Sequence, residues 1–260
     1  MIETAQRLIT VLAQHEHVAV AVSGGVDSLT LATFAHRHLP GRMSAIHAVS
    51  PAVPASATAR IEMLARVEGW PLTITDTGEF DDPRYRDNPQ NRCYFCKTNL
   101  YNRIRDLTAG SIASGANLDD LGDYRPGLLA AAERQVVHPF IEAEMAKADV
   151  RAMARTLGLG VLAELPAQPC LASRVETGIS IDAEDLAFVE RAEARLTAIA
   201  PAGSTVRCRV ARAGVILEFG PEAESVAAEL EASLLSLCLE AGRPFAGTRA
   251  YSRGAMFIRS

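Results

Sequence analysis

Cys170 stands in Gln168-Pro169-Cys170-Leu171-Ala172-Ser173-Arg174, between a proline turn and an arginine. A free thiol ionises near roughly pH 8.5, so only a minority is thiolate at neutral pH. A guanidinium nearby favours the thiolate, which makes Cys170 a candidate nucleophile and Arg174 its activator. Taken alone, the residue also fits a buried apolar cysteine. A second group, Ser23-Gly24-Gly25-Val26-Asp27-Ser28, follows the β-branched run His17–Val22 and opens an apolar-periodic helix through His38. Strand, glycines and helix start together describe an anion cradle. Gly24 and Gly25 let the backbone approach a phosphate, the helix offers unpaired N–H groups, and Ser23 and Ser28 add hydroxyls. Asp27 is out of place in a pure phosphate cradle and fits a magnesium ion held between phosphates.

A third polar cluster is Gly115-Ala116-Asn117-Leu118-Asp119-Asp120. Gly115, Asn117 and Asp120 are candidates for positioning the same phosphate-bearing ligand, and Asp119 for a share of the magnesium. Helix capping and turn formation use the same residue types. Cys93 and Cys96 form a CxxC at a helix start, flanked by Arg92 and Lys97, either of which can reach phosphates. Alone, this is half a zinc site, a redox pair or a thiolation motif. No second CxxC or nearby histidine pair completes a metal site, so structural use or a facultative disulfide is the default. Cys208 and Cys238 lack cluster-like spacing, which argues against an iron–sulfur cluster. Arg207 and Arg209 alternate with Val206, Cys208 and Val210 and so share one face of a strand.

The elements that must carry these residues alternate. Strands are expected at Met43–Val49, Leu72–Thr75 and Ser111–Ser114, with Val136 and Val137 a short candidate. Helices are expected at Pro54–Val67, Arg92–Leu107 and Lys147–Leu157, and Asp76–Asn91 as a polar loop. This is an α/β pattern with a parallel sheet, whose ligands sit beyond the carboxyl ends of the strands. Past Pro166 the pattern changes to a helix at Asp182–Ile199, a hairpin of Thr205–Val210 and Val215–Phe219, a helix at Glu222–Glu240 and a closing strand at Thr248–Ile258. Two domains follow, residues 1–168 and a smaller α+β domain at 169–260.

The chain has 260 residues, a formal net charge of -5 and five cysteines. The acidic balance counts against a dedicated nucleic-acid binder. Met1–Gln14 reads as an amphipathic helix rather than a signal peptide, and no apolar run approaches the roughly 20 residues that span a bilayer. A soluble cytoplasmic protein with reduced, free thiols is expected.

SGGVDS is neither a Walker loop nor a dinucleotide fingerprint. It resembles the PP-loop of the ATP pyrophosphatase superfamily. Together with NPQNRCYFCK (88–97), GANLDDLGDYRPG (115–127) and PCLASR (169–174), in that order, the chain resembles the LarE family of ATP-dependent sacrificial sulfur transferases. The resemblance covers most of residues 17–210. It implies a PP-loop domain of the adenine nucleotide α hydrolase type. It also implies ATP and magnesium, adenylation of a carboxylate of a pyridinium dicarboxylate mononucleotide, and attack by Cys170. Sulfur is then lost from that cysteine, in biosynthesis of the nickel-pincer nucleotide. Arg207, Arg209, Glu193 and Glu218 are similar to family positions implicated in substrate phosphate or ring contacts; a solvated sheet face with weak ion pairs is the plainer alternative. By analogy the protein is a homo-oligomer, a hexamer. A tRNA thiolation enzyme, an amide-forming synthetase and a nucleotide-binding protein without chemistry are the competing readings. The chain departs from the family at Glu176 and Thr177, where relatives carry a proline and an aromatic. It departs again at Tyr251–Met256, where the arginine is displaced by one.

Overall fold

The computed structural model describes residues 2–122 and 125–252. The chain divides into two compact units, one of residues 1–82 and 91–168 and the other of residues 83–90 and 169–260.

The first unit begins with α1 (Ile2–Ala13), then β1 (Val18–Ala21), α2 (Val26–His38), β2 (Met43–Val49), α3 (Ala55–Glu68) and β3 (Leu72–Asp76). After a helical turn at Glu79–Asp81, the short α4 (Pro83–Arg86) belongs to the second unit. The chain then returns through α5 (Arg92–Leu107), β4 (Ser111–Ala113), α6 (Pro126–Glu133), α7 (Pro139–Glu142) and α8 (Lys147–Thr156). The four strands are parallel, in the order β3-β2-β1-β4. A parallel sheet is covered on both faces, so its central strand is apolar throughout. Val18 and Val20 of β1 face one core, with Leu8 and Leu12 of α1, Leu29 of α2, Ile61 of α3 and Val150 of α8. Ala19 faces the other, with Ile46, Ile112 and Tyr101 and Ile104 of α5.

The β-branched runs predicted as strands form them. The stretch predicted as a polar loop, Asp76–Asn91, instead holds Glu79–Asp81 and α4, because Tyr85 is buried and needs a turn to point inward. Val136–Val137 does not make a strand: Val137 forms a single parallel bridge to Ala113. The Ala- and Leu-rich α6 was not anticipated.

The second unit runs through the helical turn Leu171–Arg174 into α9 (Ala183–Ile199), capped by Asp182, whose carboxylate accepts from the Glu184 N–H at 2.8 Å. β5 (Val206–Ala211) and β6 (Gly214–Phe219) form an antiparallel hairpin. Glu222–Glu240 is not one helix: a 3-10 turn over Pro221–Val226, opened by the proline, precedes α10 (Ala227–Glu240). β7 (Phe245–Ala250) then pairs parallel with β6. The strand predicted at Thr248–Ile258 therefore begins earlier, and its part from Arg253 on lies outside the described residues, as do Arg253–Met256 of the C-terminal motif and Asp123 and Tyr124 of the 115–127 motif. Asn88 is fully buried at φ 52, where asparagine is among the more tolerant residues. Its amide donates to the carbonyls of Glu176 and Ile179, both at 2.9 Å, and its carbonyl accepts from Gly178 N at 2.9 Å. These bonds explain why residues 83–90 join the second unit.

Candidate functional site

In the order β3-β2-β1-β4, the chain leaves β1 for β2 on one side and comes back to β4 on the other. The crevice between β1 and β4 is thus the topological switch point, where open α/β sheets take ligands. Ser23–Ser28 follows β1 and Gly115–Asp120 follows β4, so both predicted clusters reach that crevice. Contact between them is close: a Cβ on Gly115 would lie 2.8 Å from Ser28 N and 2.9 Å from the Asp27 carbonyl carbon.

The loop is built for backbone exposure. Gly24 has φ +79 and faces α3 so tightly that a Cβ would sit 3.0 Å from the Ala57 carbonyl oxygen. Gly25 is the N-cap of α2 and supplies no side-chain cap, which leaves the helix start to another acceptor. Ser28 Oγ accepts from Ser23 N at 3.1 Å and donates to the Gly25 carbonyl at 3.1 Å, closing the turn on itself. Ser23 is exposed at its tip. Below the loop, His47 of β2 is buried between the Val22 carbonyl, 3.0 Å from Nδ1, and Thr58 Oγ1, 2.9 Å from Nε2. A carbonyl only accepts, so Nδ1 carries the proton and Nε2 accepts from Thr58. Burial pulls the His47 pKa below its ordinary value, opposed by the Val22 bond and by Glu62.

Asp27 has two unlike oxygens. Oδ2 accepts from Lys147 Nζ at the start of α8. Oδ1 is buried and has no hydrogen-bond partner among the described residues. A buried carboxylate oxygen left without a donor suits a cation, so Asp27 fits a magnesium ligand. Asp119 is exposed, and its N–H donates to Asn117 Oδ1 at 3.1 Å. Buried Asn117 receives Asp120: its N–H donates to Asp120 Oδ2 at 3.0 Å, and Asp120 also pairs with Arg125 at 2.8 Å. Asn117 and Asp120 thus shape the turn after β4. Among the described residues no three His, Cys, Asp or Glu side chains converge on one point. Arg92 at the start of α5 is buried, and Lys97 lies 5.7 Å from the centre of the Tyr101 ring. Cys93 and Cys96, both half-buried, lie one helical turn apart in the first turn of α5.

In the second unit Cys170 is exposed at the head of the Leu171–Arg174 turn. Arg174, almost wholly buried, builds that turn. Its Nη1 donates to the carbonyls of Pro169 at 2.8 Å and Cys170 at 3.2 Å, and its Nε and Nη2 fork onto Glu193 of α9 at 2.9 and 2.8 Å. Burial works against the charge on Arg174, but Glu193 outweighs it and Cys170 adds to it, so the net shift of its pKa is upward. Glu193 Oε1 also accepts from Cys208 N at 3.1 Å and so ties α9 to β5. Arg209 donates to the Ser173 carbonyl at 2.9 Å and pairs with Glu218 at 2.7 Å. Glu218 is fully buried, with its other oxygen on Arg249 at 2.7 Å. Both carboxylates predicted to meet substrate are therefore engaged in holding arginines.

Arg207 differs. It is half-buried, donates to its neighbour's carbonyl at Val206 at 2.7 Å and has no ion pair among the described residues. Burial lowers its pKa, Glu193 opposes this, and Arg174 and Arg209 lower it further. Arg207 is thus a half-buried cation without an ion pair among the described residues. Glu176, the departure from the family pattern, accepts from Arg212 N at 3.3 Å in the hairpin turn, and its charge is answered there. Burial pushes the thiols of Cys208 and Cys238 up, which leaves them poor nucleophiles. Lys147, Arg249 and His47 were missed by sequence reasoning, since a lone cation or histidine within a regular element carries no spacing signal.

Such an architecture, a PP-loop α/β domain followed by a smaller sheet domain that displays a cysteine, defines the class. Comparison with known proteins narrows it. The chain is 39% identical over 182 residues to an uncharacterized protein of Synechocystis, covering 68% of each. It is 30% identical over 198 residues to the pyridinium-3,5-bisthiocarboxylic acid mononucleotide synthase of Lactiplantibacillus plantarum, covering 74% of this chain and 71% of that one. An uncharacterized protein of Methanocaldococcus jannaschii is 31% identical over 110 residues, 41% of this chain and 42% of its own. No protein-family model matches. The chain belongs to the LarE family, that of the Lactiplantibacillus synthase. No helix among the described residues is long and apolar enough to cross a membrane.

Proposed function

We propose that the protein is an ATP-dependent sulfur transferase of nickel-pincer nucleotide biosynthesis, with Cys170 as its own sulfur source. The observation that carries the reading is the exposed Cys170 thiol, presented on a turn that a buried arginine holds rigid, in a chain whose other unit bears a phosphate loop at its switch point. The relative's product is a bisthiocarboxylic acid, so its synthesis must place sulfur on a carboxyl carbon.

A carboxylate resists a thiolate, because both are anionic and oxide leaves badly. Adenylation removes that obstacle. A carboxylate oxygen of the pyridinium dicarboxylate mononucleotide attacks the α-phosphorus of ATP, and pyrophosphate departs into the Ser23–Ser28 loop. Cys170 Sγ then attacks the acyl carbon, and AMP leaves with the electron pair of the broken C–O bond. Loss of the Cys170 Cα proton with cleavage of Cβ–Sγ releases a thiocarboxylate and leaves dehydroalanine in the chain. Magnesium, when bound, neutralises phosphate charge. Asp27 Oδ1 would hold it, as one carboxylate beside substrate phosphates is a usual magnesium setting. Lys147, already against Asp27, is placed to meet the same phosphates. Arg207 is placed for the substrate's own anionic groups. Arg174, Glu193, Arg209 and Glu218 keep the Cys170 turn and Arg207 in place.

Intact-protein mass spectrometry after incubation with ATP, magnesium and the mononucleotide tests this. The expected result is loss of one hydrogen sulfide from the chain, mapped to Cys170. Substrate-dependent pyrophosphate release with an unchanged protein mass would refute self-supplied sulfur and point to an external donor.

A further inference from the structure

Arg60 of α3 has no part in the chemistry above, yet it sits against the phosphate loop. Its Nη1 donates to the Gly24 carbonyl at 2.7 Å and to Gln168 Oε1 at 3.0 Å. No carboxylate pairs with it among the described residues, and burial pulls its pKa down. A guanidinium has five donors in a planar fork, and Arg60 engages protein through one nitrogen alone. Here, then, is a partly desolvated cation at a phosphate loop, without an anion.

The two acceptors differ in rigidity. Gly24 is fixed against the Ala57 backbone of the same helix that carries Arg60. Gln168 is exposed, in the exposed stretch 166–170, which has no regular structure. Among the described residues, the bond to Arg60 is the only side-chain hydrogen bond made by residues 166–168. Past Gln168 the chain runs through Pro169 directly into Cys170. Arg60 therefore clasps the tether of the reactive thiol to the floor of the phosphate loop.

We propose that Arg60 is a positioning residue that couples filling of the phosphate loop to the freedom of the Cys170 tether. This rests on the reading that Ser23–Ser28 holds the pyrophosphate group. A phosphate oxygen is a far stronger acceptor for a guanidinium than a neutral amide. An anion beside Gly24 thus draws Arg60 off Gln168 and loosens the tether when the adenylate has formed and the thiol is needed. By reciprocity, the Gln168 bond opposes pyrophosphate binding by the same factor.

Inorganic pyrophosphate with magnesium is the probe. Its affinity is measured by calorimetry, and alkylation of Cys170 by peptide-resolved mass spectrometry. In the unaltered chain, bound pyrophosphate is expected to speed alkylation of Cys170 severalfold. Gln168→Ala is expected to bind pyrophosphate about threefold more tightly. Its Cys170 should already react at the fast rate and ignore the ligand. Arg60→Gln is expected to bind about tenfold more weakly and to show the same indifference at saturation. The exposed position of Gln168 keeps the test open if Arg60→Gln folds poorly. Pyrophosphate that binds the unaltered chain without changing Cys170 reactivity overturns the coupling, as does a Gln168→Ala chain that still responds. If the unaltered chain binds no pyrophosphate, the phosphate-loop reading fails first and the coupling with it.

Discussion

Gly115→Ala isolates the contact between the two polar loops. The backbone φ of Gly115 is outside the left-handed region, so the effect of a methyl group is purely steric. Its Cβ would meet Ser28 N at 2.8 Å, the Asp27 carbonyl carbon at 2.9 Å and Ser28 Cα at 3.0 Å, all backbone. Ordinary contact begins at 3.4 Å, so the loop or the first turn of α2 must move by roughly 0.6 Å, an overpacking cost of about 1–3 kcal/mol. The atoms that move are those expected to cradle phosphate, and a shift of this size is expected to weaken pyrophosphate binding about tenfold. Gly41→Ala is the matched control. Gly41 has φ +72 with open space around it, so a methyl there costs about 1–2 kcal/mol through backbone strain and moves nothing at the loop. Urea unfolding should report similar destabilisation for both variants, and calorimetry with pyrophosphate should separate them. Equal affinities in the two variants would refute the argument that Gly115 keeps the cradle in register.

Cys170→Ser should abolish sulfur loss while substrate-dependent pyrophosphate release persists, and Cys208→Ser should leave both in place; mass spectrometry and a pyrophosphate assay read the two. Glu218→Ala strands Arg209, whose side chain is 7% exposed, and should destabilise the chain by about 3–5 kcal/mol in urea unfolding. Arg249→Ala should cost less, about 1–3 kcal/mol, since it removes the donor from one oxygen of buried Glu218 while Arg209 still holds the other. Stability should fall with acidity in the window below pH 6.5, because His47 resists protonation when folded and takes up a proton freely when unfolded. The contribution is complete above the unfolded value and is lost as pH falls from there to the lower folded value. His47→Asn should flatten that part of the profile, read from thermal melts between pH 5 and 8.

What could be read from the sequence was what repeats locally. β1, β2 and α5 follow from β-branched runs and helical spacing, and the Gly-rich turn after β1 announces its own conformation. Helix α6 escaped because its alanines and leucines give no polar face to mark a period. Among site residues, Cys170, Asp27 and Arg207 are visible through type and company. Their partners are not. Arg60 reaches Gln168 across more than a hundred positions, and Lys147 reaches Asp27 across a similar span, so no local pattern records either. Glu193 and Glu218 were visible as charges near the right strands. Their pairing with Arg174, Arg209 and Arg249 arises only when α9 and β7 pack beside β5 and β6.

The loan of residues 83–90 to the second unit also sets an order of events during synthesis. At about 5–20 residues per second, the ribosome delivers Glu176 and Ile179 roughly 5–18 s after this segment emerges. Until then Asn88 has no Glu176 or Ile179 to meet. Over that interval the nascent chain carries the Asn88 amide without its protein acceptors. Expressed without residues 83–90, the segment 169–260 is expected to lose stability, because the asparagine that bonds Glu176 and Ile179 is encoded upstream, between two stretches of the first unit.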